Sequence, residues 1–402
     1  MPMLERPMSK AEWTRVRFDQ IATQINDRVD NPAEAGVDRY VGLEHLDPDS
    51  LRIRRWGEPT DVESTKLRFQ PGDIIFGKRR VYQRKVAVAD FEGICSAHAM
   101  VLRAKPGAML PDFLPFFMQS DLFMERALSI SVGSLSPTIN WKALAAEEFL
   151  LPPIQEQARL VEAFLSFDNA CEALRELSNK SRDLLFSTST ELLHQHTLLK
   201  LTPASTSPAP GWRNVAFNDV CERITYGFTN PMPTTDAGPW MVTAKDVVDG
   251  VIDYTSARHT SRDAFETELT EKSRVRIGDV LLTKDGTLGR VAVVDRDDVC
   301  INQSVAVLRP NEQSNGVFLS RVLRAPQMQA RLMKDSGGSA VKHLYITKVG
   351  ETRFFLPSIE EQARISGILN GLEEHVNASE KRLSQLNGLK KSILEGEVYN
   401  AL

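Results

Sequence analysis

The chain reads as an α+β protein made of two copies of one unit. Each copy is a globular domain followed by a long helix, and the two helices are expected to pair as an antiparallel coiled coil. Two observations lead there. Phe149-Leu-Leu-Pro-Pro-Ile-Gln-Glu-Gln-Ala-Arg-Leu160 and Phe354-Phe-Leu-Pro-Ser-Ile-Glu-Glu-Gln-Ala-Arg-Ile365 match closely and lie about 205 residues apart. A repeat period near half the chain length means two large copies, not a solenoid of small ones. Each segment also opens onto a helix-favouring tract whose apolar residues alternate at spacings of three and four, the seam of a coiled coil.

The copies align along most of their length. Trp13-Thr-Arg-Val-Arg-Phe18 matches Trp212-Arg-Asn-Val-Ala-Phe217, and Tyr40-Val-Gly-Leu-Glu-His45 sits where Trp240-Met-Val-Thr-Ala-Lys245 sits. The Pro71-Gly-Asp73 turn matches Gly278-Asp279, Cys95 matches Cys300, and Val101-Leu-Arg103 matches Val307-Leu-Arg309. Short β-branched runs bounded by turn residues, such as Asp73-Ile-Ile-Phe and Val86-Ala-Val-Ala, predict strands of one compact mixed sheet per copy. Helical stretches are expected near residues 111–128 and 317–333. A Gly/Ser loop follows in each copy, at Val132-Gly-Ser-Leu-Ser-Pro137 and Ser336-Gly-Gly-Ser339. The resulting division is a globular domain over 1–150, a helix over 151–201, a Pro/Ser/Thr linker over 202–211, a second domain over 212–355 and a second helix over 356–402.

The expected helix seam comprises Val161, Phe164, Cys171, Leu174 and Leu185 in the first helix. In the second it comprises Ile365, Leu369, Leu372, Val376, Leu383, Leu386 and Ile393. Ser178 and Ser379 interrupt it, and Gly367, Gly371, Gly388 and Gly396 weaken the second helix on its own. The alternative is that each helix packs only on its own domain. Narrow apolar stripes with charged flanks favour pairing.

With 402 residues, 42% apolar and 25% charged, the composition is that of an ordinary globular protein large enough for two or three cores. The first residues lack the apolar stretch of a signal peptide, and no apolar run reaches membrane-spanning length. Cys95, Cys171, Cys221 and Cys300 are scattered, which argues against a zinc site or disulfide framework and fits a reducing cytoplasm. No dinucleotide or phosphate-binding glycine loop, nucleophile elbow, HExxH segment or Asn/Asp-Pro-Pro-Tyr/Phe segment is present, so no catalytic residue and no metal site is proposed. Asp73 and Asp279 recur after glycine and are assigned to turn chemistry.

The net charge of −4 is a mild point against nucleic-acid binding, but charge is unevenly placed. Lys78-Arg-Arg-Val-Tyr-Gln-Arg-Lys85 holds five cations in eight residues. In this first copy Lys78, Arg79, Arg80, Tyr82, Arg84, Lys85, His98 and Ser134 are the candidate surface. In the second, Lys284, Thr287, Arg290, Asn302, Gln303, Ser339, Lys342 and His343 are. These residue types hydrogen-bond base edges and phosphates, and the Asn-Gln pair suits adenine. A shared scaffold with differing polar loops is what two modules reading different targets would show. Solvated loops on a coiled-coil scaffold that binds protein are the competing reading.

The two Leu-Pro-x-Ile-x-Glu-Gln motifs at residues 151–157 and 356–362, the Tyr40–His45 segment, the Gly-Asp turns and the duplicated plan together resemble the specificity (S) subunit of type I restriction-modification systems. The resemblance covers essentially the whole chain. It implies that each globular part is a target recognition domain reading half of a split, asymmetric double-stranded DNA sequence, and that the helices are spacers fixing the unread gap. It further implies two modification (M) subunits that bind S-adenosylmethionine and methylate adenine, and restriction (R) subunits that use ATP and Mg. No cofactor is expected in this chain itself, no membrane association is expected, and the location implied is cytoplasmic. In the second copy Ala244-Lys245 replaces Glu44-His45, so no role of those two residues is carried across.

Overall fold

A computed structural model describes residues 12–194, 211–334 and 343–398, apart from Pro106, Ala108 and Asp249. The chain divides into two compact units, Met1–Glu176 with Glu380–Leu402, and Leu177–Ser379. Each unit therefore contains the start of one long helix and the end of the other.

In the first unit, Thr14–Arg17 pairs antiparallel with Glu148–Leu151, closing the domain where the first long helix begins. A four-stranded antiparallel sheet runs in the order Ala22–Ile25, Ala99–Ala104, Ile74–Gly77, Val86–Val88. A second sheet runs Arg28–Val29, Lys66–Phe69, Gly93–Ser96, Tyr40–Val41, its last pair parallel. Two sheets thus replace the single mixed sheet expected. The reason lies in the continuous apolar runs, since a strand buried on both faces needs a partner layer on each. Ile74 and Phe76 point into the helical core, while Ile75 points the other way, into a core shared with Leu67, Phe69 and Cys95.

The second unit repeats the plan. Arg213–Ala216 pairs with Arg353–Leu356. The antiparallel sheet runs Cys221–Tyr226, Val305–Pro310, Val280–Thr283, Val291–Val293. The other runs Arg274–Val275, Val299–Ile301, Thr235–Val242, Arg258–His259, here with the parallel pair in the centre. Val280 and Leu282 face the helices and Leu281 faces the second sheet. The copies differ at the edge: the extra strand lies beyond Lys66–Phe69 in one and beyond Thr235–Val242 in the other.

The Gly-Asp turns are structural in both copies. Gly72 and Gly278 sit at φ 88° and 89°, where a side chain is strained. Asp73, fully buried, accepts the Gln70 N–H at 2.9 Å and pairs with Arg103 at 2.7 Å. Asp279 accepts the Arg276 N–H at 2.9 Å and pairs with Arg309 at 2.8 Å.

Each expected helical stretch is two helices. Phe113–Gln119 and Asp121–Ser129 break at Ser120, whose Oγ accepts the Phe123 N–H as an N-cap. Gly316–Arg324 and Pro326–Lys334 break at Pro326, which cannot donate into the preceding turn but suits a first helical position.

The long helices span Ile154–Ser189 and Ile359–Val398. Within the first unit they run antiparallel: Asp168 pairs with Lys390 at 2.5 Å and the Cys171 thiol meets the Asn387 carbonyl at 3.2 Å, so numbers rise along one as they fall along the other. Cys171 and Val376 are buried, while Leu174, Leu185, Leu372, Leu383, Leu386 and Ile393 are half-buried. Six of the seam residues pack on the domain cores, Leu185 and Ile393 among them. Val161 and Phe164 complete the first core and Ile365 and Leu369 the second, because the opening turns of each helix lie on its own sheet domain. The far helix ends enter the same cores, Leu394 in the first unit and Leu193 in the second. Ser178, Ser379 and Lys390 are buried polar positions along the helices.

The repeated Glu-Gln motif is a rivet. Gln362 Oε1 accepts the Asn315 N–H at 2.8 Å, and its Nε2 donates to the Gln313 and Pro357 carbonyls, both at 3.0 Å. Gln157 does the same work with the Leu110 N–H at 2.8 Å and the Pro152 carbonyl at 2.9 Å. The preceding glutamates clamp the arginines three positions on, Glu156 with Arg159 and Glu361 with Arg364.

Candidate nucleic-acid interface

In the first unit the cation-rich segment leaves the strand Ile74–Gly77 and returns as Val86–Val88. Between them Val81–Gln83 forms a single tight helical turn, pinned by the buried Val81. Arg80 and Arg84 flank it, both left-handed at φ 57° and 53°, a conformation uncommon for residues with a Cβ. Their partners hold them there. The Arg80 N–H donates to the Pro137 carbonyl at 2.8 Å, while Arg84 bonds Asp49 at 2.7 Å, Asp121 at 2.6 Å and the Gln119 carbonyl at 2.5 Å.

The five cations therefore do not form one face. Arg84 is spent on two carboxylates, and the Lys85 ammonium donates to the Leu43 carbonyl at 2.6 Å. These two belong to the scaffold, because their cationic heads are held by protein oxygens, and they are withdrawn from the candidate surface. Lys78, Arg79, Arg80 and Tyr82 remain. Arg79 pairs through its backbone with Thr138, and Arg80 Nε reaches Ser136 Oγ at 3.3 Å, so the Gly/Ser loop carrying the exposed Ser134 lies directly alongside. Val132 and Thr138 close that loop, and Leu135 at its tip is 91% exposed. An apolar tip among cations can meet a thymine methyl group while the cations hold phosphate. Leu135 was missed in sequence; the signal was an apolar residue inside an otherwise polar turn.

Behind this face lies a second set of cations. Arg79 Nη1 donates to His98 Nε2 at 3.1 Å, and the His98 N–H donates to Ser96 Oγ at 3.2 Å. Lys66, opposite Ser96 in the sheet, is buried, and its ammonium donates to the Ser64 hydroxyl and carbonyl oxygens. Burial lowers the Lys78 ammonium below its ordinary value, with Arg28 adding to the shift. Burial, then Arg79, Lys78 and Lys66, push the His98 imidazole down. Among the described residues, none of Arg28, Lys66, Lys78, Arg79 and Arg80 has a carboxylate partner. Arg28 and Lys66 were not anticipated, since each lies in a different strand.

The second unit differs. Thr283 Oγ accepts the Arg290 N–H at 2.9 Å and donates to the Thr287 carbonyl, closing a loop that turns at Gly286 and Gly289. Lys284 is not free: its ammonium bonds Asp285 at 2.5 Å, and Asp285 also holds His343. Burial alone would raise the Asp285 carboxyl, but Lys284 and His343 outweigh it and hold it below the usual range. The Arg290 guanidinium reaches the Val247 carbonyl at 3.4 Å. Asn302 Oδ1 accepts the Ser304 hydroxyl at 2.6 Å and N–H at 3.1 Å. Its carboxamide oxygen is committed to the turn, so the Asn302-Gln303 pair cannot offer two free carboxamides to adenine. Gln303 stays exposed on a polar cavity of about 310 Å³, beside Thr229, Asn230 and Arg258. Ser339 and Lys342 lie outside the described residues.

Comparison with known proteins bears on this arrangement. A family model described as the type I restriction modification DNA specificity domain matches residues 54–180 and 211–387. The EcoBI type I restriction enzyme specificity subunit of Escherichia coli is 30% identical over 194 residues, 46% of this chain and 40% of that protein. The EcoDI specificity subunit, also from Escherichia coli, is 30% identical over 198 residues, 45% of this chain and 42% of that protein. The matched segments thus span less than half of these relatives. Among solved structures, a type I restriction-modification S subunit from M. genitalium superposes with a TM-score of 0.62 at 15% identity, covering 98% of this chain and 97% of that one. A chain from a study of type I assembly and conformational transition gives 0.58 at 22% identity, covering 97% and 98%. At these identities the likeness is one of fold.

Proposed function

Since this chain belongs to the type I restriction modification DNA specificity family, we propose that it is the non-catalytic DNA-recognition subunit of such a system. Each unit reads one half of a split, asymmetric double-stranded target. The chain directs adenine methylation and restriction by two modification subunits and the restriction subunits, which carry S-adenosylmethionine, ATP and Mg. The observation that carries the reading is the doubled scaffold. Two units share strand order, Gly-Asp turns and Gln rivets, yet differ in the side chains they present at matching loops. Conservation of frame with divergence of face is what independent readout of two sequences needs. No described helix is long and apolar enough to cross a membrane.

The test is duplex binding by the chain together with its modification partner, as a function of salt. Affinity that falls linearly on a log–log scale, and exceeds that for random duplex, supports the proposal. Salt-independent behaviour with no preference between sequences would favour the protein-binding scaffold instead.

A further inference from the structure

We propose that Arg79 and His98, in the positive field of Lys66 and Lys78, form a site for a DNA backbone phosphate that takes up a proton on His98 when it fills, and that among the described residues the second unit has no counterpart. This rests on the DNA-recognition reading.

Arg79 and His98 are in direct contact. A guanidinium can only donate, so His98 Nε2 must be the acceptor at 3.1 Å, and the neutral ring carries its proton on Nδ1. Protonating His98 places a second N–H donor against the first, and that contact must break. The cations around it then repel the imidazolium: Arg79 and Lys78 from the end of strand Ile74–Gly77, and Lys66 from strand Lys66–Phe69. Among the described residues, no carboxylate is among the groups acting on His98. The empty site therefore keeps His98 neutral. A phosphodiester oxygen between Arg79 and His98 reverses both effects, because it accepts from the two donors at once and offsets the positive field.

The sign follows. His98 is held below the ordinary imidazole value when the site is empty and is raised when an anion fills it. Between those two values binding takes up a proton, so affinity rises as pH falls, by at most about tenfold per pH unit for one proton. In the second unit the shared lysine, Lys284, is already neutralised by Asp285, which also binds His343. An anion there would compete with an internal carboxylate.

The experiment measures binding of a random-sequence duplex to the full chain with its modification partner, from pH 8 to pH 5.5 at fixed salt. The wild type should tighten severalfold or more on acidification. His98→Gln, an exposed substitution that keeps the backbone N–H to Ser96, should flatten the profile. His98→Lys should bind at pH 8 as the wild type does at low pH. Arg79→Ala should lower the salt slope by about one. A pH profile that His98→Gln leaves unchanged overturns the site while the DNA reading stands. Inorganic pyrophosphate titrated into the same chain provides the second arm. Proton-linked pyrophosphate binding without duplex binding supports the anion site and refutes the DNA reading, whereas pyrophosphate binding indifferent to His98→Gln overturns the site.

Discussion

Replacing Gln362 by Met tests what the repeated Leu-Pro-x-Ile-x-Glu-Gln motif does. The side chain is 0% exposed and makes three hydrogen bonds, one to the Asn315 N–H and two to the Gln313 and Pro357 carbonyls. Methionine keeps the volume and removes all three. An unsatisfied buried polar group costs about 1–3 kcal/mol, and partial rehydration of the loop reduces the sum. The expected loss is therefore about 2–5 kcal/mol. A unit of this size shifts by roughly 2–4 °C per kcal/mol, so melting of the second unit should fall by about 4–20 °C. Urea denaturation followed by a fluorophore in that unit gives the free energy, and Gln362→Glu, which sets a buried carboxylate against the Gln313 and Pro357 carbonyls, should lose at least as much. A loss below about 1 kcal/mol for Gln362→Met would refute the rivet, and with it the claim that the motif is structural.

Three further outcomes are expected. Burial would raise the Glu373 carboxyl, but Arg321 and Arg324 outweigh it and hold it below the ordinary value of 4.5. Its stabilising contribution should be fully present above about pH 4.5 and vanish as pH falls through the lowered folded value, so the stability gap between wild type and Glu373→Gln should close in acid titration. Gly367, Gly371 and Gly388 have open space where a Cβ would stand; alanine at each should raise stability by about 0.5–1 kcal/mol in denaturant melts. Asp279→Asn removes the buried carboxylate from Arg309 and leaves it the more exposed Glu271 at 3.7 Å, and equilibrium unfolding should show a cost of about 3 kcal/mol, the low end for a broken buried pair.

The duplication was legible because it preserves chemistry that cannot vary freely. A glycine at positive φ, an aspartate closing its turn and a fully buried glutamine each leave a residue-type signature. Breaks within the short helices were less legible, since Ser120 and Pro326 fit a helix start as readily as a kink. The split into two sheets was hidden because Ile74-Ile-Phe76 is equally apolar on both faces, and periodicity cannot say which layer lies on which side. Charge was the hardest to read. Arg84 and Arg80 lie in one basic run and share a left-handed backbone, yet Asp49 and Asp121 hold one while the other stays at the surface. Lys66 and His98 meet the run only across strands. Asn302 looked free until Ser304 took its oxygen.

Separate reading of the two halves of one DNA target is the task proposed for the two units. Its most direct test exchanges residues 212–350 for the equivalent segment of another family member and sequences the methylated sites in a host supplying the modification partner. One half of the methylated sequence should change and the other should remain. If both halves move together, or neither moves, the two units do not read independently.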